Sequence, residues 1–138
     1  MGKRAVIDSG PLIALFDRDD QFHQAICDFL RNYVGSLHST VAVLTEVTHL
    51  LDFSVQAQLD FLSWVLDGGV QIHDIQTEDL NRICELTEKY SDLPMDFADA
   101  TLMRIAERER ISKVISIDHD FYIYRKNDRQ SIDNLFQR

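Results

Sequence analysis

Apolar positions along this chain switch repeatedly between short runs and helical stripes, and that switching sets out the elements. Arg4-Ala5-Val6-Ile7 is a partly β-branched run stopped by Asp8-Ser9-Gly10-Pro11, which predicts a buried strand ending in a turn. Pro11 opens a short helix through Leu12, Ile13, Leu15 and Phe16. Beyond a polar break, in which Asp20 is a candidate cap, Phe22, Ala25, Ile26, Phe29, Leu30 and Tyr33 form a second helical stripe. Ser36 to Thr40 reads as a brief strand. The helix after it turns Val43, Leu44, Val47, Leu50 and Leu51 inward, and another over 55–66 does the same with Leu59, Leu62, Val65 and Leu66. Gly68-Gly69 ends that helix, and Val70 to Ile75 alternates as a half-buried strand. Thr77 is a candidate cap for the next helix, with Glu78 and Asp79 in its first turn. Phe97 to Ala106 is helical, with Phe97, Leu102, Met103, Ile105 and Ala106 inward. The strand from Val114 then ends at Asp118, and residues 131–136 predict a last edge strand. Strands alternating with helices imply a parallel sheet covered by helices on both faces.

Composition narrows the class. A chain of 138 residues, 45% of them apolar, predicts one domain over residues 1–138. No apolar run approaches the roughly 20 residues that span a bilayer, which predicts a cytoplasmic protein that does not enter the membrane. Cys27 and Cys84 are too few for a metal motif or a disulfide framework, and both fall on or beside apolar stripes, as small core residues do. The net charge of −9 excludes a broad basic surface for nucleic acid. It is uneven, however: residues 1–103 hold 6 Lys+Arg against 17 Asp+Glu, and residues 104–138 hold 8 against 6. A docking polyanion would have to be attracted by the last third.

The chemistry lies in the carboxylates. Asp99 precedes Leu102, Met103 and Ala106 by three, four and seven positions, so it shares their inward side, and Asp96 lies one turn earlier. Glu46 interrupts the inward stripe of its helix between Val43 and Leu50. Asp8 closes the first strand and Asp118 the fourth, so both belong at the carboxyl edge of a parallel sheet, where ligands gather. Two unit charges about 4 Å apart repel by roughly 4 kcal/mol at an effective dielectric near 20. Protons or a divalent cation must offset that. Oxygen ligands without a nearby histidine or cysteine set select a hard ion, Mg²⁺ or Mn²⁺, and such an ion suits hydrolysis of a phosphodiester.

Val6-Ile7-Asp8-Ser9, Glu46 in a helix, Met95-Asp96-Phe97-Ala98-Asp99-Ala100 and Ser116-Ile117-Asp118-His119-Asp120-Phe121 together resemble the PIN-domain ribonucleases, particularly toxins of the VapC type. The resemblance covers nearly the whole chain. It implies a three-layer α/β/α sandwich around a mostly parallel sheet of four to five strands, and Mg²⁺- or Mn²⁺-dependent cleavage of an RNA substrate. It also implies a homodimer and a small antitoxin that blocks the site. Carried over, Asp8, Glu46, Asp99 and Asp118 would be the acidic quartet, with Asp8 and Asp99 the direct metal ligands. Asp96 matches a subgroup's extra aspartate, Asp120 the acidic position before Phe121, and Ser116 stands where many relatives have threonine. Ser9 and Ser116 are candidate contacts to water or phosphate.

Plainer readings stand beside these. Asp8 and Asp96 suit turn or cap positions, Asp118 the start of a polar loop, and His119 an exposed loop. Arg104, Arg108, Arg110 and Lys113 read either as a solvated helix end or as RNA contacts, and so do Arg125, Lys126 and Arg129. Tyr122 and Tyr124 could stack on unpaired bases or pack against the sheet. Two other functions compete: a catalytically silent PIN-like binding module, and an aspartate-based phosphoryl-transfer domain. The second is weakened by Ser9-Gly10 after Asp8, where an Asp-x-Asp is wanted, and by Lys113, which begins its strand instead of ending it.

Overall fold

The structure is a computed structural model that describes residues 2–93, 95–118, 124 and 132–136. In chain order the elements are β1 (Lys3–Ile7), α1 (Ser9–Phe16), α2 (His23–Asn32), β2 (Gly35–Thr40), α3 (Val41–Leu50) and α4 (Val55–Leu66). They continue with β3 (Gln71–His73), α5 (Asp79–Lys89), α6 (Phe97–Arg108), β4 (Lys113–Ile115) and β5 (Asp133–Asn134). The strands form one sheet in the order β3-β2-β1-β4-β5, and every pairing is parallel. Among the described residues six helices flank it, which is the expected α/β class. β1 is central because Ala5, Val6 and Ile7 are fully buried and can be covered on both faces. The strand order reverses direction at β1, with β2 on one side and β4 on the other. A crevice therefore opens beyond their carboxyl ends.

The core is continuous from β1 and β4 to α6, whose residues 98–103, 105 and 106 are all buried. Several expectations are corrected at the surface. On α4, Leu59 and Leu66 are 52% and 87% exposed, and the helix turns Phe61 inward instead. The larger aromatic rings decide its rotation: Phe61 and Trp64 each lie 5.6 Å from the Phe16 ring, on the side away from the leucines. Gly69 serves that arrangement, since a Cβ there would sit 2.2 Å from the Trp64 ring. Leu50 and Phe97 also face out, and Cys84 is exposed where a core position was expected, while Cys27 is half-buried. Thr77 does not cap α5 through its side chain; Asp79 folds back to accept the Gln76 N–H at 2.8 Å. Asp20 sits outside α2 and accepts the Phe22 N–H. No helix among the described residues is long and apolar enough to cross a membrane.

Candidate active site at the carboxyl edge of the sheet

Asp8 follows β1 directly and is 5% exposed. Its N–H donates to the Ile115 carbonyl of β4, which ties it to the strand end. Its Oδ1 accepts the Ser9 N–H at 2.8 Å as the cap of α1, and its Oδ2 accepts the Ser116 hydroxyl at 3.2 Å. The cap reading and the site reading therefore hold for the same side chain. Asp99, 6% exposed, stands in the first turn of α6, where Asp96 is the N-cap. The two aspartates form a reciprocal capping box: Asp96 Oδ1 accepts the Asp99 N–H at 2.8 Å, and Asp99 Oδ2 accepts the Asp96 N–H at 3.3 Å.

Glu46 projects from α3 and its Oε1 accepts the Ser9 hydroxyl, so Ser9 bridges the carboxylates of two elements. Asp118 arrives from the other side of the sheet. Its N–H donates to Ser116 Oγ at 2.9 Å, and the same hydroxyl donates to Asp8. The structure thus brings Asp8, Glu46, Asp96, Asp99 and Asp118 within one another's electrostatic reach. Asp120 and His119 lie outside the described residues, as do Tyr122, Arg125, Lys126 and Arg129. Tyr124 is buried with its ring 5.0 Å from that of Tyr90, which places it in the core.

The electrostatics are those of like charges held in a dry place. Burial pushes the Asp8 carboxyl up to about 7; Glu46 and Asp118 add to the rise, while the Ser9 N–H and the Ser116 hydroxyl oppose it. Burial likewise raises Asp99 to about 8, and the charges of Asp8, Asp96 and Asp118 push the same way against the Asp96 N–H. Glu46 is raised chiefly by burial and then by Asp96, with Ser9 opposing. No described Lys or Arg pairs with Asp8, Glu46, Asp96 or Asp99. Arg104 and Arg108 are the nearest in sequence on α6, and both are spent on Asp79 at 2.7 Å. That accounts for the two arginines within the fold.

Three residues that support the site escaped the sequence. Thr40 caps α3, and its hydroxyl lies 2.8 Å from that of Thr101 on α6, which fixes the helix bearing Glu46 against the helix bearing Asp99. Thr40 and Thr101 are both fully buried. A threonine just before an apolar stripe is a readable cap signal for Thr40. Asn134 on β5 holds Ser116 from both sides, donating to its carbonyl at 2.9 Å and accepting its N–H at 3.2 Å. Nothing in the sequence around Asn134 announces that role. Beside the cluster, between α3 and the start of α6, a groove of about 550 Å³ is lined by Glu46, His49, Asp96 and the exposed Phe97 ring.

No three histidine, cysteine or acidic side chains converge into a closed metal cage among the described residues. The donors still suit a hard dication. They are carboxylate oxygens, and the charges of Glu46 and Asp118 raise Asp8 while that of Asp8 raises Asp99, which a bound cation would relieve. Mg²⁺ is commonly held by only one or two carboxylates, with water and substrate phosphate completing its shell.

Comparison with known proteins bears on the family and the fold. The family description "PIN domain" matches residues 5–127. The chain is 24% identical over 115 residues to Ribonuclease VapC26 of Mycobacterium tuberculosis, covering 82% of this chain and 85% of that protein. Its fold is similar to that of VapC20 from Mycobacterium tuberculosis, a toxin that cleaves the sarcin–ricin loop. The TM-score there is 0.77 at 18% identity, over 84% of this chain and 91% of the other. It is also similar to a chain of a toxin–antitoxin complex from Klebsiella pneumoniae, with a TM-score of 0.65 at 19% identity, over 85% and 89% of the two chains.

Proposed function

Because this chain belongs to the PIN-domain family, we propose that it is a single-domain, cytoplasmic, metal-dependent endoribonuclease that hydrolyses RNA phosphodiester bonds as the toxin of a toxin–antitoxin pair. The observation that carries this reading is the pair of buried carboxylates, Asp8 and Asp99, which no described Lys or Arg neutralises, at the edge where a parallel sheet takes its ligands. Asp8 and Asp99 would hold Mg²⁺ or Mn²⁺. Bound there, the ion would neutralise charge on the phosphate oxygens and acidify a water molecule. The protein's own contribution is orientation. Ser9 fixes one oxygen of Glu46, and burial keeps that carboxyl above its usual range, so it takes up a proton more readily than a solvated glutamate. Ser116 holds Asp8 and the backbone of Asp118 with one hydroxyl.

The antitoxin and a homodimer belong to the same proposal. They are supported by the toxin–antitoxin complex among the similar structures and by the outward leucines of α4, an apolar face that a partner chain could cover. A catalytically silent binding module is the second reading, favoured by the lack of a ready-made three-ligand cage among the described residues. Calorimetric titration with Mn²⁺, together with cleavage of total RNA with and without the metal, separates the two. Saturable binding with metal-dependent cleavage supports the nuclease. Neither binding nor cleavage would leave the silent module.

A further inference from the structure

The opposite edge of the sheet carries a feature that the acidic site does not use. Lys3 and Arg4 begin β1, and the turn from α6 into β4 carries Arg110 and Lys113. These four cations line one pocket of about 520 Å³ with Ile111 and Leu135 as its apolar wall. With strands rising about 3.3 Å per residue, the five steps from Lys3 to Asp8 set this pocket roughly 17 Å from the carboxylates.

Two observations make the cluster more than a solvated edge. In a chain of net charge −9, Arg31, Arg82, Arg104, Arg108 and Lys113 each pair with a carboxylate, whereas Lys3, Arg4 and Arg110 pair with none among the described residues and, unlike Arg18 and Lys89, which also have no salt bridge, line one pocket together. Arg4 instead donates to the Arg110 carbonyl at 3.3 Å, which draws the two basic residues together across the edge. The carboxylates nearest in sequence are already engaged, Asp133 by Lys113 and Glu109 by Arg108.

The second observation is the backbone of Arg110. It has φ 57°, the sole positive value outside glycine among the described residues. It follows Glu109, the C-cap of α6, and Ile111 N–H closes back to the Ala106 carbonyl at 2.8 Å. This is the left-handed position after a helix, where glycine is strongly preferred and a side chain carries strain. Arginine there gives up local stability to present a guanidinium over the pocket.

We propose that Lys3, Arg4, Arg110 and Lys113 form a phosphate-binding site at the amino edge of the sheet, which takes a phosphate group of a nucleotide unit with its sugar against Ile111 and Leu135. The guanidiniums of Arg4 and Arg110 offer forked donors to the phosphate oxygens, and the two lysines add charge. The phosphate belongs either to an RNA strand or to a free nucleotide. The site does not rest on the ribonuclease reading, because its binding is measured without any divalent metal.

The test is fluorescence anisotropy of the full chain with a labelled single-stranded RNA in EDTA, across a series of salt concentrations. The variants are Arg110→Gly and the double variant Lys3→Gln/Arg110→Gly. Each lost phosphate contact flattens the plot of log K against log salt by about 0.7 for a single strand, so slopes lower by about 0.7 and about 1.4 are expected. Arg110→Gly should at the same time raise the melting temperature, because glycine relieves the left-handed residue. Weaker binding in a more stable protein cannot come from unfolding. Competition by adenosine monophosphate, with displacement of the RNA, would mark a free nucleotide as the ligand; a changed slope without displacement would mark an RNA strand. Parent and variants with the same slope, and no chemical-shift change at residues 3, 4 and 110–113 on adding the mononucleotide, would overturn the site. If metal-dependent cleavage is absent while these slopes change, the ribonuclease reading fails alone.

Discussion

Asp79 and Asp99 occupy equivalent places in two helices and meet opposite surroundings. Each lies in the first turn of its helix, and each is almost wholly buried, at 2% and 6% exposed. Asp79 receives Arg104 and Arg108 at 2.7 Å and the Gln76 N–H at 2.8 Å. Burial pushes its carboxyl up, but the Arg104 hydrogen bond, the Gln76 N–H and the two guanidinium charges more than reverse this and hold it below the usual range. Asp99 faces Asp8, Asp96 and Asp118 instead, and rises to about 8. Helix α6 carries the arginines that satisfy Asp79 and offers no cation to the aspartate in its own first turn. Burial is common to the two groups, so the choice of partner is what separates a structural carboxylate from one left open for a ligand.

The strongest way to break this comparison is Asp99→Asn. An amide keeps the capping oxygen, so the fold should persist, while cleavage of RNA in Mn²⁺ should fall by about a thousandfold, as the loss of a charge-stabilising group does. Above about pH 8, where Asp99 would carry its charge, the apo protein should become more stable, since one of the repelling charges is gone. Single-turnover cleavage and denaturant unfolding measure the two halves. An unchanged cleavage rate would sink the proposed role of the cluster.

The two aspartates should also pull stability in opposite directions with pH. Asp8 and Asp99 are raised above the unfolded-chain value of 3.8 to about 7 and about 8, so between roughly pH 4 and pH 8 the native state binds more protons than the unfolded chain. Their contribution is full below pH 4 and is lost as pH rises through the folded values, at up to about 1.4 kcal/mol per pH unit for each proton released. Asp79 is lowered, so its contribution is present above 3.8 and is lost as pH falls through its folded value. Unfolding in urea with EDTA at pH 5.5 and pH 8 should therefore give the lower stability at pH 8. Saturating Mn²⁺ should restore it. A higher stability at pH 8 in EDTA would show that the acidic edge is not strained by its own charges.

Asp79→Asn sharpens the other side. Arg104 and Arg108 are about a quarter exposed, and water compensates part of what they lose, so the expected destabilisation is about 2 kcal/mol instead of the larger figure for a fully buried pair. The cleavage rate per folded molecule should not change. Ser116→Ala is a smaller perturbation, about 1 kcal/mol, because it removes one hydroxyl that serves both Asp8 and Asp118. It should also carry the alkaline fall in apo stability to higher pH, since the hydroxyl opposes the rise of Asp8 and its loss would raise that carboxyl further.

The sequence disclosed the acidic cluster better than Asp79 and its arginines, for a physical reason. Asp99 and Glu46 interrupt apolar stripes, so each is conspicuous within its own helix. Asp8 and Asp118 follow short apolar strands, and a parallel sheet brings such ends together whatever lies between them. Asp79 and its arginines are separated by 25 and 29 residues, and no local pattern links them. A first-turn acid and a last-turn base are what two independent, solvated helices would also show. The same limit hid Asn134, which acts across 18 residues on Ser116. For the fold, periodicity found every strand and helix but not the rotation of α4.

That rotation gives the smallest expected effect. The sequence offers α4 two apolar faces, a leucine line through Leu59, Leu62 and Leu66 and an aromatic line through Phe61 and Trp64, and periodicity does not rank them. The fold buries the aromatics because they remove more apolar area from water and meet Phe16 edge-on. Leu66 at 87% exposed then contributes almost nothing to the folded monomer. Leu66→Gln should leave the urea midpoint of the dilute protein within about 0.5 kcal/mol of the parent. Phe61→Ala, on the opposite side of the same helix, should cost about 3 kcal/mol or more. Comparable losses from the two substitutions would mean that the leucine line is already covered in solution. The outward face would then be an interface between copies of the chain, and the stability of the parent would fall on dilution.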